Sequence, residues 1–238
     1  WVMIAGILVF SMQGGFALVE AGLTRAKNVG NIVMKNLMDC AAGVLAFALI
    51  GYAIGFSGPE MLGGWFGFGL GVSGVESTAS DGGLLPATFF FCQAAFAATA
   101  ATIVSGAMAE RTKFKAYFVY SIAITALIYP VVLRWTWGGG WLAQLGVPFS
   151  DFAGSTIVHA TGGWTALMGA WVLGPRLGKY TKNGKLRPIP GHSIPYVVLG
   201  AFILFVGWFG FNAGSELAVD EFVMPIAMKT LVAAGAGA

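Results

Sequence analysis

The sequence predicts an all-α fold, a polytopic transmembrane helical bundle, on three observations. Of its 238 residues, 57% are hydrophobic and only 10% are charged, with a mean hydropathy of +0.79. A soluble domain carries about 25% charged residues. The apolar residues come in runs of about 20, the length that crosses a bilayer as a helix. The basic residues fall on alternate connections between those runs. The chain therefore reads as an integral, multi-pass membrane protein with the lipid bilayer as its solvent.

The spans follow in order. Apolar runs cover 1–22, 30–56, 84–109, 114–134, 153–174 and 194–214, and a seventh begins near 222 and is still running at Ala238. The first ends at a turn read as holding Arg25, Lys27 and Lys35. The third and fourth are joined through Arg111, Lys113 and Lys115, and the fifth and sixth through Arg176, Lys179, Lys182, Lys185 and Arg187. Eleven of the 13 basic residues thus sit on alternate connections. The others carry Glu60, Glu76, Asp81, Glu216, Asp220 and Glu221. The positive-inside rule places the basic loops in the cytoplasm and the N-terminus outside. The net charge of +3 follows from this loop bias and does not indicate nucleic-acid binding.

Cys40 and Cys92 both lie in apolar spans, so neither a disulfide framework nor a metal site is indicated. Trp1 already falls within a helix, and LVAAGAGA stops in one. The expectation is one membrane domain over 1–238, incomplete at the C-terminus and at the N-terminus.

The fifth span, Asp151 to Arg176, reads DFAGSTIVHATGGWTALMGAWVLGPR and places His159 inside the membrane. An ionisable residue there points to function by default. Gly154, Gly162, Gly163, Ala166, Gly169 and Ala170 surround it, and small residues let helices approach closely. The Asp-aromatic-Ala-Gly start, the spaced small residues and the Gly174-x-Arg176 end resemble the signature of the ammonium transporter family (Amt/Mep/Rh). GLTRAKNVGN from Gly22, SGAMAERTKFKAY from Ser105, WGGG from Trp137 and GWFGFNAGS from Gly207 resemble further family motifs, in the same order.

The resemblance implies an inverted-repeat fold of eleven spans, of which about seven are present. It implies transport of ammonium or ammonia through a hydrophobic pore in the plasma or inner membrane, serving nitrogen uptake, with no enzymatic reaction and no cofactor. The outer cation site matches Trp137, Phe96 and Ser215. The gate matches Phe96 and Phe211, and the first of two pore histidines matches His159. Gln93, in the QAAFA run, and Asn212, in FNAGS, flank these positions as supporting residues. Asp151 starts the fifth helix, where a carboxylate caps free amides; a cap that also sets the local field is favoured over direct ion ligation. Taken alone, Trp137 suits an interfacial aromatic belt, Phe96 and Phe211 suit core packing, and His159 suits a core histidine bonded to a carbonyl. The motifs around them set these residues apart. His192, beside Pro190, reads as a solvated loop residue. Lys35 and Asp39 are spaced to pair on the second helix.

Two positions depart from the family pattern. Cys92 stands where an aromatic residue is frequent, and Phe91, about 100° away on a helix, is no substitute. Lys229 precedes Thr230 where the family has an Asn-Thr pair. The alternative function is an ammonium sensor, the same membrane fold feeding a C-terminal signalling domain. A membrane enzyme finds no paired carboxylates, metal cluster or nucleophile triad in its support. A homotrimer and a small cytoplasmic nitrogen-regulatory protein are the partners that the resemblance implies.

Overall fold

The computed structural model describes residues 1–69 and 84–238; Glu76 and Asp81, read above as loop acids, lie outside the described residues. Helix α1 (Val2–Leu23) leads through a short turn to α2 (Val29–Ala46). A π-helical turn (Phe47–Gly51) carries α2 into α3 (Tyr52–Gly55). A small antiparallel hairpin, β1 (Glu60–Met61) with β2 (Phe66–Gly67), follows. Next come α4 (Pro86–Met108) and α5 (Phe114–Ala123), the latter running through a π-helical turn (Ile124–Ile128) into α6 (Tyr129–Trp135). A third π-helical turn (Ser155–Ala160) opens α7 (Thr161–Leu173), and α8 (Ile194–Phe211) and α9 (Val223–Gly237) complete the chain.

Among the described residues, five helical runs are long and apolar enough to cross a bilayer: Val2–Leu23, Ala26–Gly55, Pro86–Met108, Phe114–Trp135 and Ile194–Glu216. The histidine segment is not among them. It is helical over 155–173, but its histidine, threonines and glycines lower its hydropathy. It is held by packing on α4 instead.

Helix α4 is the centre of the bundle, touching α1, α2, α5, α6 and α7. Its sequence explains this. Ala94, Ala95, Ala97, Ala98, Ala100 and Ala101 are all 0–4% exposed, and methyl side chains let neighbouring backbones come near. The most extensive helix pair is α1 with α8, and it is a glycine seam. A Cβ on Gly200 would lie 2.6 Å from the Gly15 carbonyl, and one on Gly22 would lie 2.5 Å from the Ser193 carbonyl.

The three basic connections meet at one residue. Glu110, in the left-handed region at φ +63°, has a fully buried side chain between α4 and α5. Its Oε1 accepts from the Arg25 amide at 3.0 Å, Arg25 Nε at 2.9 Å and Asn28 Nδ2 at 2.5 Å; its Oε2 accepts from Arg176 Nη1 at 3.0 Å. These connections therefore share one face of the bundle.

Lys35 corrects the sequence reading. It is not a loop residue: it lies within α2 and is 3% exposed. Nor does it form the expected ion pair with Asp39. Its ammonium donates to the Ser105 carbonyl at 2.8 Å and lies 3.8 Å from Glu20 Oε2. Asp39 instead accepts from three hydroxyls, those of Thr102 at 2.9 Å, Tyr117 at 3.0 Å and Ser121. Glu20 also accepts from Ser105 Oγ at 2.7 Å and Asn36 Nδ2 at 3.2 Å. The result is a buried polar knot joining α1, α2, α4 and α5. His192 likewise differs from a purely solvated side chain, since its Nδ1 lies 2.9 Å from the Thr24 carbonyl and ties the long basic loop to the end of α1.

Candidate pore and outer cation site

Four aromatic rings from four parts of the chain form a continuous column. Trp137, in the turn after α6, meets Phe96 of α4 edge-on, with centroids 5.9 Å apart and planes at 81°. Phe96 meets Phe211, at the end of α8, at 4.2 Å and 38°. Phe211 meets His159 at 5.2 Å and 38°. Phe96 is 3% and Phe211 1% exposed, so this pair closes the column between the tryptophan and the histidine.

Local sequence explains how each ring is held. Trp137 Nε1 donates to the Asp151 carbonyl at 2.6 Å, which fixes the indole. The Asp151 carboxylate accepts four backbone amides: Gly154 at 2.8 Å and Ser155 at 3.1 Å on Oδ1, Thr156 at 2.8 Å and Ile157 at 2.8 Å on Oδ2. Both oxygens are thus engaged in capping the π-helical turn that contains His159. Widened turns of this kind recur at functional sites. Gly154 makes the entry with φ +96°, a conformation that suits glycine.

Outside the Phe96–Phe211 pair lies a cavity of about 240 Å³. Trp137, Phe96, Ser215, Gln93 and Cys92 line it together with Phe56, Phe89, Phe152 and Leu217. Ser215 Oγ donates to the Phe211 carbonyl at 2.7 Å, and this leaves the hydroxyl oxygen free to accept. Gln93 is 7% exposed, and its Oε1 has no hydrogen-bond partner among the described residues. Among the described residues, none that lines it is charged.

Trp137, Phe96, Ser215, Phe211, His159 and Gln93 are therefore in or beside one column. Asn212 is not part of the cavity wall; its Nδ2 donates to Thr230 Oγ1 at 3.1 Å and ties the end of α8 to α9. Lys229, next to Thr230, is exposed on α9. Phe91 points away from the cavity; its ring lies where a Cβ on Gly6 of α1 would fall, at 2.9 Å.

Sequence reasoning missed Phe56, Phe89 and Phe152. Phe56 and Phe89 pack edge-to-face at 5.0 Å. One signal was available: Phe89, Cys92, Gln93 and Phe96 follow the spacing of one helix face. Among the described residues, no group of three or more His, Cys, Asp or Glu side chains comes together in a way that could hold a metal.

Comparison with known proteins gives the family of the chain. The model of the Ammonium Transporter Family matches residues 1–238. Ammonium transporter Amt2 of Archaeoglobus fulgidus is 50% identical over an alignment covering 100% of this chain and 52% of that protein. A putative ammonium transporter of Synechocystis sp. is 46% identical, with 100% of this chain and 54% of that protein covered. The chain thus spans about half the length of these curated relatives. Among solved structures, one titled Sensor Amt Protein superposes with a TM-score of 0.87 at 40% identity, covering 94% of this chain and 55% of that one. Mep2 of Candida albicans superposes at 0.76 with 30% identity, covering 90% and 47%. The shared helical architecture and a match along the whole chain make this protein a member of the ammonium transporter family.

Proposed function

We propose that the protein containing this chain carries ammonium or ammonia across a membrane, with Trp137, Phe96 and Ser215 as its outer cation site, Phe96 and Phe211 as its gate and His159 as a pore residue. The observation that carries this reading is the unbroken contact from Trp137 through Phe96 and Phe211 to His159. Stripping water from a cation costs of order 20 kcal/mol in the Born limit and several kcal/mol after relaxation. Aromatic faces offset part of this, at about 0.5–2 kcal/mol each. The Ser215 oxygen and the free Gln93 Oε1 add acceptors for ammonium N–H groups.

The closed ring pair then favours the neutral species. Taking the proton from ammonium at neutral pH costs about 3–4 kcal/mol, given an amine-type acid some 2–3 units above neutral, which is less than burying the bare ion. A neutral imidazole at His159 donates from one nitrogen and accepts at the other, so it serves the step beyond the rings. Asp151 acts by holding the turn that bears His159 and the indole of Trp137.

The basic face, tied together at Glu110, is assigned to the cytoplasm, with the N-terminus outside. A homotrimer and a cytoplasmic nitrogen-regulatory partner fit the family. Sensing is the second reading, favoured by the similarity to a structure titled as a sensor and by Cys92 in the outer cavity.

The test is ammonium flux in proteoliposomes of the full-length protein. Flux that saturates with ammonium, with apparent affinity weakened by Trp137→Leu, supports transport. Ammonium binding without flux in the unmodified protein would turn the assignment to sensing.

A further inference from the structure

We propose that the cavity between the start of α2, the α4–α5 turn and the end of α7 binds a phosphate group, free or on a lipid headgroup, through Arg111, Lys113 and the first amides of α5. The site lies on the basic face and does not depend on what passes the aromatic column.

The first observation is unmatched charge. The cavity measures about 470 Å³. Among the described residues, Lys35, Glu110, Arg111 and Lys113 are the charged ones that line it. Lys35 and Glu110 are already matched. Lys35 donates to the Ser105 carbonyl and faces Glu20, and Glu110 pairs with Arg25 and Arg176. Arg111 and Lys113 form no ion pair among the described residues. The wall therefore carries an excess of positive charge.

The second is the arrangement of donors. Arg111 Nε and Nη2 donate to the Ala107 carbonyl, and Nη1 donates to the Gly174 carbonyl. Three of its five N–H groups thus hold the guanidinium between the ends of α4 and α7, and the other two are left for a ligand. A held guanidinium suits the oxygens of a phosphate. Lys113 is exposed and stands at the N-cap of α5. The first turn of α5 has no acidic residue, and no side chain caps its amides. Helix starts favour negative charge, yet this one is flanked by Arg111, Lys113 and Lys115. Thr112, also in the wall, has a buried hydroxyl without a partner among the described residues. Free amides at a helix start, with cations around them, make a site for an anion.

The third is shape. The cavity is many times the ~30 Å³ share of a water molecule, so a bare halide leaves most of it empty. Met108, Leu173 and Leu177 give it an apolar side, which suits the organic part of a phosphate ester. Arg111 also reaches the end of α7, the helix opened by the turn that bears His159. A phosphate here braces that end against α4 and α5.

Melting of the purified full-length protein in phosphatidylcholine nanodiscs tests this in two arms. In one, inorganic phosphate is titrated against sodium chloride of matched ionic strength. In the other, phosphatidic acid replaces a rising fraction of the phosphatidylcholine. A ligand of the folded state raises the melting temperature as it binds. A saturable rise with inorganic phosphate identifies a free anion, and one with phosphatidic acid alone identifies a lipid headgroup; either supports the site. Lys113→Gln, whose side chain has no partner to lose, should raise the half-saturating level by about tenfold. Lys182→Gln, in the basic loop but outside the cavity, should leave it unchanged. Arg111→Gln should abolish the rise if that variant folds; if it does not, Lys113→Gln decides. No saturable rise in either arm overturns the proposal. So does a half-saturating level unchanged in Lys113→Gln, or raised equally in Lys182→Gln, since the effect then belongs to the charge of the whole face.

Discussion

Glu110 shows what a single residue does in this bundle. One buried carboxylate accepts four hydrogen bonds from Arg25, Asn28 and Arg176 and so joins the three basic connections. Burial pushes its carboxyl up, but the Arg25 and Asn28 hydrogen bonds and the Arg25 charge outweigh that and hold it below its ordinary value of 4.5. A carboxyl depressed on folding adds stability above its unfolded value and loses it as pH falls through the folded one. Glu110→Gln should lower stability at neutral pH, by about 1–3 kcal/mol for each donor left unpaired. The gap to the unmodified protein should close below about pH 4.5. Melting curves in detergent at several pH values check this; a gap that does not change down to strongly acid pH would remove the carboxylate as its cause. The Glu20–Lys35–Asp39 knot makes a second residue-scale prediction. Lys35→Met leaves Glu20 and Asp39 buried without a cation and should cost about 3–5 kcal/mol, and adding Glu20→Gln should recover part of it. A double-mutant cycle with no recovery would mean that the Glu20–Lys35 contact at 3.8 Å does not couple them. Neither arrangement was legible in the sequence. Glu20 looks like an isolated charge, and Asp39 like a helix neighbour of Lys35, until the fold brings α1, α2, α4 and α5 together and turns Lys35 toward Glu20 and Asp39 toward three hydroxyls.

At the scale of elements, five of the seven spans were readable because a bilayer demands unbroken apolar length, which composition displays directly; the histidine segment and the shorter Val223–Gly237 helix do not meet it among the described residues. The packing between spans was not readable. The α1–α8 seam depends on which glycines face which carbonyls, and the sequence alone shows only that glycines are abundant. Gly200→Ala places a methyl 2.6 Å from the Gly15 carbonyl and should destabilise by about 1–3 kcal/mol, whereas Gly14→Ala meets nothing within 4 Å and should be neutral or slightly stabilising. Equal melting temperatures for the two variants would show that the seam can open without cost. The π-helical turns were also invisible to periodicity, since a single widened turn leaves the hydrophobic pattern almost unchanged. The one at Ser155–Ala160 matters most, because it carries His159 and donates its first amides to the Asp151 carboxylate. The residues of the outer cavity divide the same way. Trp137, Phe96 and Ser215 stand in recognisable motifs, and Phe89 shares the helix-face spacing of Cys92, Gln93 and Phe96, but Phe56 is one among 19 phenylalanines, and only three-dimensional contact sets it apart.

Across the whole molecule, two assignments organise the account: which face is cytoplasmic and what passes through the column. The first follows from charge. Cysteine introduced at Lys182, in the long basic loop, should label only from inside, and cysteine at Val147, 86% exposed in the connection before the histidine segment, only from outside. Labelling of position 182 from outside would invert the topology. The second is the central claim. An imidazole beyond a closed pair of rings handles a proton or neutral ammonia, whereas a carboxylate in its place stabilises a bare cation. The measurement that tests this most directly is flux of ammonium against potassium through the full-length protein in proteoliposomes, with His159 and with His159→Asp. The account predicts ammonium-selective flux in the unmodified protein and a loss of discrimination against potassium in the variant. Intact flux with the same ammonium-to-potassium discrimination in both proteins would contradict it and take His159 out of the mechanism.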